Sequence, residues 1–166
     1  MSTENLYNED AKKKISKLAT DIDFAMMATN LKETPLSVIL MSTKKVDEDG
    51  NIWFLSGKDS DHNKDIEKDA ETQLIYSDPS SMEFLSVYGQ SSITTEKLII
   101  KELYSSADDT WFDGEDDPNI TAIKFKPSEA HYWDTDSNKL VSLFKIGKGA
   151  VTGEKQDVGE SGRLKV

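Results

Sequence analysis

The sequence contains no cysteine and only two histidines, and these two scarcities exclude several kinds of chemistry. Without cysteine the chain has no disulfide, no thiolate metal ligand and no cysteine nucleophile. With His62 and His131 as its only histidines and no G-x-S-x-G motif, it gives little support to a Ser-His-Asp hydrolase. Paired carboxylates, which serve many glycosidases, are uninformative in so acidic a chain.

Long apolar runs and a secretory pattern are also missing. No apolar run approaches the roughly 20 residues that a membrane helix needs, so the sequence predicts no membrane-spanning segment. Residues 1–5 have neither a basic region nor an apolar one, so we expect no secretory signal. Together with the lack of cysteine, these observations predict a cytoplasmic protein.

Positive charge is scarce relative to negative charge. The chain has 20 Lys and Arg against 31 Asp and Glu, which gives a net charge of −11. Nucleic acids and anionic membranes are bound by neutralising phosphates with basic side chains, so we expect neither as a partner. The basic run Lys12 to Lys14 follows Glu9 and Asp10 and is interpreted as a solvated helix face. The charge favours a small-molecule ligand or a protein partner.

The apolar patterns that are present predict one α+β domain, mainly β. Its 166 residues suit a single core, and apolar residues from Ala11 to Ile22 recur at helical spacing behind Asn8 as the cap. Asp47 to Gly50 separates two β-rich runs and predicts a hairpin turn, while Gly89 predicts a bulge or a close backbone approach. Strands are predicted at 24–29, 36–43, 51–56, 73–76, 83–93, 120–125 and 129–133. Helices are predicted at 11–22, from Ser60 to about Ala70, from Thr94 or Thr95 to Tyr104, and at 140–147. The domain is assigned to residues 1–152, and the Gly-rich residues 153–166 to a tail that is mobile or bound to a partner.

Two segments carry weak patterns for ligand sites. Residues 108–117 are rich in carboxylates but lack the alternating ligand spacing of a calcium loop, so a solvated acidic loop is the better interpretation and no metal site is predicted. Gly147-Lys148-Gly149 follows a predicted helix instead of opening one after a strand, so we reject a nucleotide-binding glycine loop.

The segment from Ser37 to Lys64 is the most informative part of the sequence. Two strands rich in Ser, Thr and large apolar residues lead into residues 56–64, which combine hydroxyls, cations and a predicted helix start. Aligned N–H donors, hydroxyls and positive charge are what a bound phosphate requires. The alternative is that Ser60 simply caps its helix and the lysines are solvated, and on spacing alone this alternative is favoured.

Short motifs along most of the chain resemble the general stress protein branch of the pyridoxamine 5'-phosphate oxidase-like, FMN-binding split-barrel family. They run in order between about residues 11 and 151. The motifs are MMAT at 26–29, MST at 41–43, IWFLS at 52–56 with Ser60, FLSVYG at 84–89, WF-x-G at 111–114, DDPN at 116–119 and YWD at 132–134. The resemblance implies a six-stranded split β-barrel with flanking helices, which forms a homodimer and holds FMN in two clefts between the protomers.

The same resemblance implies roles for individual residues. Four residues would lie along the flavin ring, three would line the ring and the ribityl chain, and Ser60 would face the phosphate. Two aromatic residues would approach from the other protomer. The residues along the flavin ring are Met41, Ser42, Thr43 and Lys44. Those lining the ring and the ribityl chain are Phe54, Leu55 and Ser56, and those from the other protomer are Trp111 and Phe112. Trp53 is instead assigned to packing.

Two positions depart from the family pattern at the phosphate. The family's Arg is replaced by Ile39 and its Lys by His62. Charge-assisted hydrogen bonds contribute about 1.5–3 kcal/mol each, so losing two costs roughly 3–6 kcal/mol. That is on the order of a hundred- to ten-thousand-fold in affinity. Lys44, Lys58, Lys64 or protonated His62 would recover part of it, so FMN binding is expected to be weakened.

Two functions are therefore predicted. The first is an FMN-binding stress-type homodimer, with weak flavin-dependent oxidoreductase activity on a small molecule as its enzymatic form; the flavin would supply the redox chemistry. The alternative is a non-catalytic dimer that has lost tight FMN binding and acts as a binding or interaction protein, which Ile39 and His62 favour. A true pyridoxamine phosphate oxidase is not expected, because residues 96–101 do not match that enzyme's substrate-phosphate residues.

Overall fold

The computed structural model describes residues 2–134 and 159–166, which form three α-helices, one 3-10 turn and ten β-strands. The predicted helix at 140–147 lies outside the described residues. The helices are α1 (Asn8–Ile22), α2 (Asp61–Lys68) and α3 (Lys97–Leu103), and the 3-10 turn is Ser106–Thr110. The strands are β1 (Ser2–Thr3), β2 (Leu6–Tyr7), β3 (Phe24–Thr29), β4 (Ser37–Ser42), β5 (Lys45–Val46), β6 (Ile52–Gly57), β7 (Glu71–Asp78), β8 (Glu83–Thr94), β9 (Ile120–Asp134) and β10 (Glu160–Lys165).

All ten strands belong to one mixed sheet that does not close into a complete barrel. Its main path is β1-β10-β9-β8-β7-β3-β4, with β5 on β6 and β6 on β9. The first half of β9 pairs with β6 and the second half with β10, so this long strand joins two parts of the sheet. Only β1 and β2 run parallel to their neighbour, β10. The predicted mainly β, α+β class is therefore confirmed.

Helix α1 covers the inner face of the sheet. Its residues Ala11, Ile15, Leu18 and Ala19 are buried in the core, as the helical spacing predicts. The predicted Asn8 cap is wrong: Tyr7 precedes the first helical residue and makes no side-chain cap hydrogen bond. The helix follows directly from β2, and Asn8 itself makes the turn with φ of 51°, a conformation that Asn tolerates.

Gly89 lies where β8 and β9 come very close together. The pairing shifts between Tyr88 and Gly89, which confirms the predicted bulge. A Cβ atom at Gly89 would lie 2.2 Å from the carbonyl oxygen of Lys126, so the close backbone approach is confirmed as well. Pro127 pairs opposite Gly89 at this irregularity, where no ladder N–H is required. The chain therefore continues through Pro127 as the single strand β9, and the prediction of two strands is wrong.

The helix before the acidic loop starts one or two residues later than the predicted Thr94 or Thr95 cap implies. Glu96 occupies the position before α3 without a side-chain cap hydrogen bond. Thr94 still belongs to β8, and its hydroxyl accepts a hydrogen bond from the Glu96 N–H at 3.2 Å. The predicted Thr94 or Thr95 cap is therefore wrong, because β8 extends through Thr94.

The outer face of the sheet carries a cluster of exposed apolar side chains, called here the apolar face. Ladder pairing sets Met26 between Leu40 and Ile75, and Phe84 opposite Trp133 on the same side. The members of the apolar face are between 40% and 60% exposed: Phe24, Met26, Val38, Leu40, Ile75 and Trp133. Monomeric proteins rarely leave such a contiguous apolar surface open, and larger patches of this kind mark interaction sites.

The end of the segment assigned to a tail is part of the sheet. Residues Glu160–Lys165 form β10, which pairs along β9 from Asp134 to Glu129. The Lys14 ammonium on α1 lies 2.6 Å from both the Asp134 and the Glu160 carboxylates. This three-residue cluster fastens the last strand to the first helix. Among the described residues, no helix is both long enough and apolar enough to cross a bilayer.

Candidate cofactor-binding site

The predicted hairpin between residues 36–43 and 51–56 is wrong: β4 pairs with β3, and across the Asp47–Gly50 turn β6 pairs only with the two residues of β5. The Lys44 N–H donates to the Trp53 carbonyl at 2.8 Å, which continues the ladder. Asp47 accepts hydrogen bonds from the Asn51 backbone N–H at 2.9 Å and from Trp53 Nε1 at 2.8 Å. Partial burial opposes ionisation of Asp47, but these hydrogen bonds outweigh it and lower its pKa. Trp53 thus stabilises the turn and packs beside α3, as the packing assignment predicts.

Strand β6 directs alternate residues to opposite sides. Phe54 is completely buried in the main core, and Met41 on β4 is 7% exposed in the same core. Phe54 is therefore enclosed in the core and presents no surface to a cofactor, and Met41 presents very little. Leu55 points to the other side, against the cluster formed with Ile100 on α3.

The segment after β4 is anchored by hydrogen bonds. The Thr43 hydroxyl lies 2.9 Å from the Tyr76 hydroxyl, and the Ser42 hydroxyl donates to Asp23 at 3.2 Å. The Lys44 ammonium lies 2.7 Å from the Asp108 carboxylate, and both side chains are mostly buried. Burial opposes ionisation of Asp108, but its hydrogen bonds, chiefly from Lys44, outweigh this and lower its pKa.

A buried polar network holds the loop after β6 against β9. The Ser56 hydroxyl donates to Asn63 Oδ1 at 2.9 Å and lies 2.7 Å from the Thr121 hydroxyl. The Asn63 amide also donates to the Gly57 carbonyl at 3.1 Å. Asn63 and Thr121 were not predicted from the sequence. Asn63 sits at the third position after the helix cap, a local signal, whereas Thr121 is brought in only by the β6–β9 pairing.

Ser60 and His62 lie together at the N-terminus of α2. The Ser60 hydroxyl accepts the Asn63 backbone N–H, which confirms that Ser60 caps this helix. It also lies 3.1 Å from His62 Nε2. Burial lowers the pKa of His62 and outweighs the opposing effects of Asp65 and Asp61. His62 is therefore mainly neutral at neutral pH and supplies little positive charge to the loop.

The lysines of the region are mostly committed to carboxylates. Lys44 pairs with Asp108, and Lys64 pairs with Asp61 at 3.0 Å. Lys58 is exposed, and its ammonium forms no ion pair within residues 2–134 and 159–166. Of the cations that were expected to compensate for Ile39 and His62, Lys58 alone is without a carboxylate in the described part of the chain.

The aromatic pair of the acidic segment follows the 3-10 turn. Trp111 is 80% exposed, whereas Phe112 packs beside α3. The Lys44–Asp108 pair ties this segment to the end of β4. The structure therefore forms two groups: Ser56, Ser60 and His62 around α2, and Lys44 with the segment of Trp111 and Phe112. Lys64 stands apart at the surface.

Acidification is expected to destabilise the protein through His62. A histidine whose pKa is lower in the folded chain binds a proton more tightly when the chain is unfolded. Protonation therefore favours the unfolded state, and the free energy of unfolding falls as pH drops below the ordinary histidine pKa. His62→Gln should lose less stability than wild type between about pH 7.5 and about pH 5.5 in urea unfolding. His131→Gln, which removes the exposed histidine, is the matched control. Equal losses in His62→Gln and wild type would contradict this account.

These features define a class of mainly β proteins that have an open mixed sheet, an exposed apolar face, and a loop of hydroxyl and N–H donors at the N-terminus of a short helix, here α2. The sequence model of the family described as "Pyridoxamine 5'-phosphate oxidase like" matches residues 10–157. The chain belongs to this family, which confirms the resemblance.

Individual relatives are distant in sequence and similar in fold. The chain is 23% identical over 157 residues to protein bli-3 of Neurospora crassa, which covers 88% of this chain and 75% of that protein. A structure described as general stress protein 26 of Jannaschia sp. CCS1 superposes with a TM-score of 0.79 at 24% identity, covering 96% of this chain and 100% of that one. The general stress FMN/FAD binding protein of Xanthomonas citri gives a TM-score of 0.65 at 19% identity, covering 79% and 93%.

Proposed function

We propose that this protein is a homodimeric, split-barrel general stress-type protein that binds FMN weakly between its protomers. Six strands, β3, β4, β6, β7, β8 and β9, would form the split barrel. The observation that carries the proposal is the loop into α2, where the Ser60 hydroxyl and the first N–H groups of the helix form a donor set suited to a phosphate. Family membership supports the same ligand class, because a relative from Xanthomonas citri is described as FMN/FAD binding.

The dimer is supported by the apolar face. Leu40 is 60% exposed and Met26 is 46% exposed on adjacent strands, and both are costly to leave in water. A second copy of the chain would cover this surface and bring the exposed Trp111 of one protomer towards the other. The cofactor cleft would then be complete only in the dimer.

The residues present fit FMN only in part. The loop offers hydroxyl and N–H donors, but Ile39 and the mainly neutral His62 replace the family's two cations, and Lys44 and Lys64 are paired with carboxylates. FMN is therefore expected to bind weakly, because the loop offers hydrogen-bond donors but few free cations to the phosphate. Bound flavin would supply redox chemistry towards a small molecule, and among the described residues of the loop no side chain is placed as an evident acid or base.

The alternative function is a dimer without tight FMN binding that acts as a binding or interaction protein. The burial of His62 and the carboxylate partners of Lys44 and Lys64 favour it. The two functions differ in one measurable property, the affinity for FMN.

Titration of purified wild-type protein with FMN, followed by flavin fluorescence and sedimentation velocity, tests the proposal. We expect a dimer that binds FMN with a micromolar or weaker dissociation constant. Leu40→Asp should yield a monomer without FMN binding, since the cleft needs both protomers. Leu98→Asp is the matched control: Leu98 is 85% exposed on α3, outside the apolar face, and should leave both properties unchanged.

Three outcomes would decide between the functions. A dimeric wild type without quenching of FMN at high protein concentration would support the alternative. A monomeric wild-type protein would contradict the homodimer that both functions assume. FMN binding that survives in a monomeric Leu40→Asp variant would show that the cofactor does not lie between protomers.

A further inference from the structure

A polar groove runs along the outer face of the sheet, beside the apolar face. It has a volume of about 690 Å³ and lies across β7, β8, β9 and β10, with the β2 region at one wall. None of the twelve residues predicted for the cofactor contributes to its lining. The lining residues used below are Tyr7, Tyr88, Glu129, His131, Arg163 and Lys165.

Arg163 is the feature that sets this groove apart. It is the only arginine of the chain, and it lies on β10 directly opposite His131 on β9. Its Nε–H donates to His131 Nε2 at 3.2 Å, which orients the guanidinium. Within the described ranges 2–134 and 159–166, no carboxylate forms an ion pair with Arg163. The terminal N–H groups of an oriented guanidinium are suited to a bidentate carboxylate or phosphate.

The charge around Arg163 also favours an anion. Lys165 lies on the same side of β10, two residues further along, and pairs in register with Glu129. The formal charge of these three groups is +1, in a chain whose net charge is −11. An anion beside Arg163 and Lys165 would therefore meet a local positive charge, whereas the Tyr88 end of the groove lies beside the Glu71 carboxylate.

Flat aromatic groups also contribute to the wall of the groove. His131 stacks on Trp133 with ring centroids 6.3 Å apart and planes 29° apart, so its ring orientation is held from both sides by Trp133 and Arg163. Tyr7 and Tyr88 add two more rings to the lining. Aromatic walls bury a planar ligand by stacking, and a few fixed polar groups set its orientation.

We propose that this groove is a binding site for a small organic anion, a carboxylate or phosphate carried on a flat ring, with Arg163 as its principal anchor. The lining contains none of the residues assigned to the flavin, and the proposal does not require FMN binding; through Trp133 the groove borders the apolar face, so it would lie at the edge of the proposed dimer interface. The anion would bind the guanidinium of Arg163, with Lys165 supporting it, and the ring would lie against His131 and the tyrosines.

Histidine NMR provides a direct test, because the chain has only two histidines. Phenyl phosphate is the probe, and inorganic phosphate and benzyl alcohol carry its anion and its ring separately. We expect phenyl phosphate to shift the His131 Cε1–H signal in a saturable way while the His62 signal stays in place. Inorganic phosphate and benzyl alcohol should each bind more weakly than phenyl phosphate. If the groove also accepts carboxylates, benzoate should shift the His131 signal as phenyl phosphate does.

Substitution of the anchor makes the test specific. Arg163→Gln should weaken phenyl phosphate binding about tenfold or more, the loss expected for a charge-assisted hydrogen-bond pair. Lys13→Gln, which removes the same charge from an exposed position of α1, should change it little. Arg163→Lys should bind with intermediate affinity. FMN affinity should be the same in Arg163→Gln and wild type.

Three results would overturn the proposal. The first is a His131 signal that does not respond to phenyl phosphate. The second is an equal loss in Arg163→Gln and Lys13→Gln, which would mean that only the overall charge matters. The third is a parallel loss of FMN and phenyl phosphate affinity in Arg163→Gln, which would merge this groove with the flavin site.

Discussion

Ile39→Arg combined with His62→Lys is expected to tighten FMN binding by about a hundred- to ten-thousand-fold. The double variant introduces the two cations that the family resemblance implies at the proposed phosphate site, and each would contribute about 1.5–3 kcal/mol through a charge-assisted hydrogen bond. Ile39 is already 38% exposed, so Arg can be accommodated there. His62 is more buried, but the flexible stem of Lys can carry its ammonium out towards the loop.

Riboflavin, which lacks the phosphate, separates this cause from others. The double variant should bind FMN far more tightly than wild type does, yet gain little for riboflavin. Leu98→Arg with Thr20→Lys adds the same two charges at exposed positions outside the residues assigned to the flavin and controls for the overall field. An equal gain for both flavins, or no gain for FMN in a folded variant, would show that these positions do not face the phosphate.

Lys14→Met is expected to lower the free energy of unfolding by about 3–5 kcal/mol, because it leaves two mostly buried carboxylates without their cation. Lys14 is 15% exposed, Asp134 is 10% exposed and Glu160 is 21% exposed. Burial disfavours the charged ammonium, but its hydrogen bonds to Asp134 and Glu160 outweigh this and raise the pKa of Lys14. Since the pKa is raised, this contribution persists through neutral pH and is lost only in strongly alkaline solution.

Urea unfolding measures the effect, and the same helix offers the control. Lys12→Met removes a lysine that pairs with Glu9 near the helix start at the surface, and should change stability little. Adding Asp134→Asn and Glu160→Gln to Lys14→Met should recover much of the loss, because the carboxylates are then neutral. A loss in Lys14→Met no larger than in Lys12→Met would contradict a stabilising role for the cluster.

Local patterns predicted most of the fold. The alternation of apolar residues located β3, β4, β6, β7 and β8, and the chemistry of Ser60 and Gly89 identified a helix cap and a bulge. What failed depends on neighbours distant in sequence. Pro127 appeared to divide two strands because only the partner strand reveals that no N–H is needed there. Strand β10 was assigned to a tail because its six residues carry little apolar signal until β9 provides a ladder.

The candidate site shows the same division. Ser60 beside His62 could be predicted because both belong to one helix start. The pairing of Lys44 with Asp108 joins residues 64 positions apart, and the contact of Ser56 with Thr121 joins residues 65 apart. The spacing of residues along the sequence does not indicate contacts between residues so far apart. The ion pairing of Lys44, which bears on how well a phosphate would be held, is therefore seen only in the folded chain.

The parallel pairing of β1 and β2 with β10 has a consequence for synthesis. Leu6 pairs with Leu164, so β2 can find its sheet partner only after β10 has been synthesised. During translation the amino-terminal segment must remain unpaired while the rest of the sheet assembles, and the Lys14 cluster cannot form before Glu160 has emerged. A chain interrupted before β10 would therefore lack both the partner strand of β1 and β2 and the Glu160 contact of Lys14.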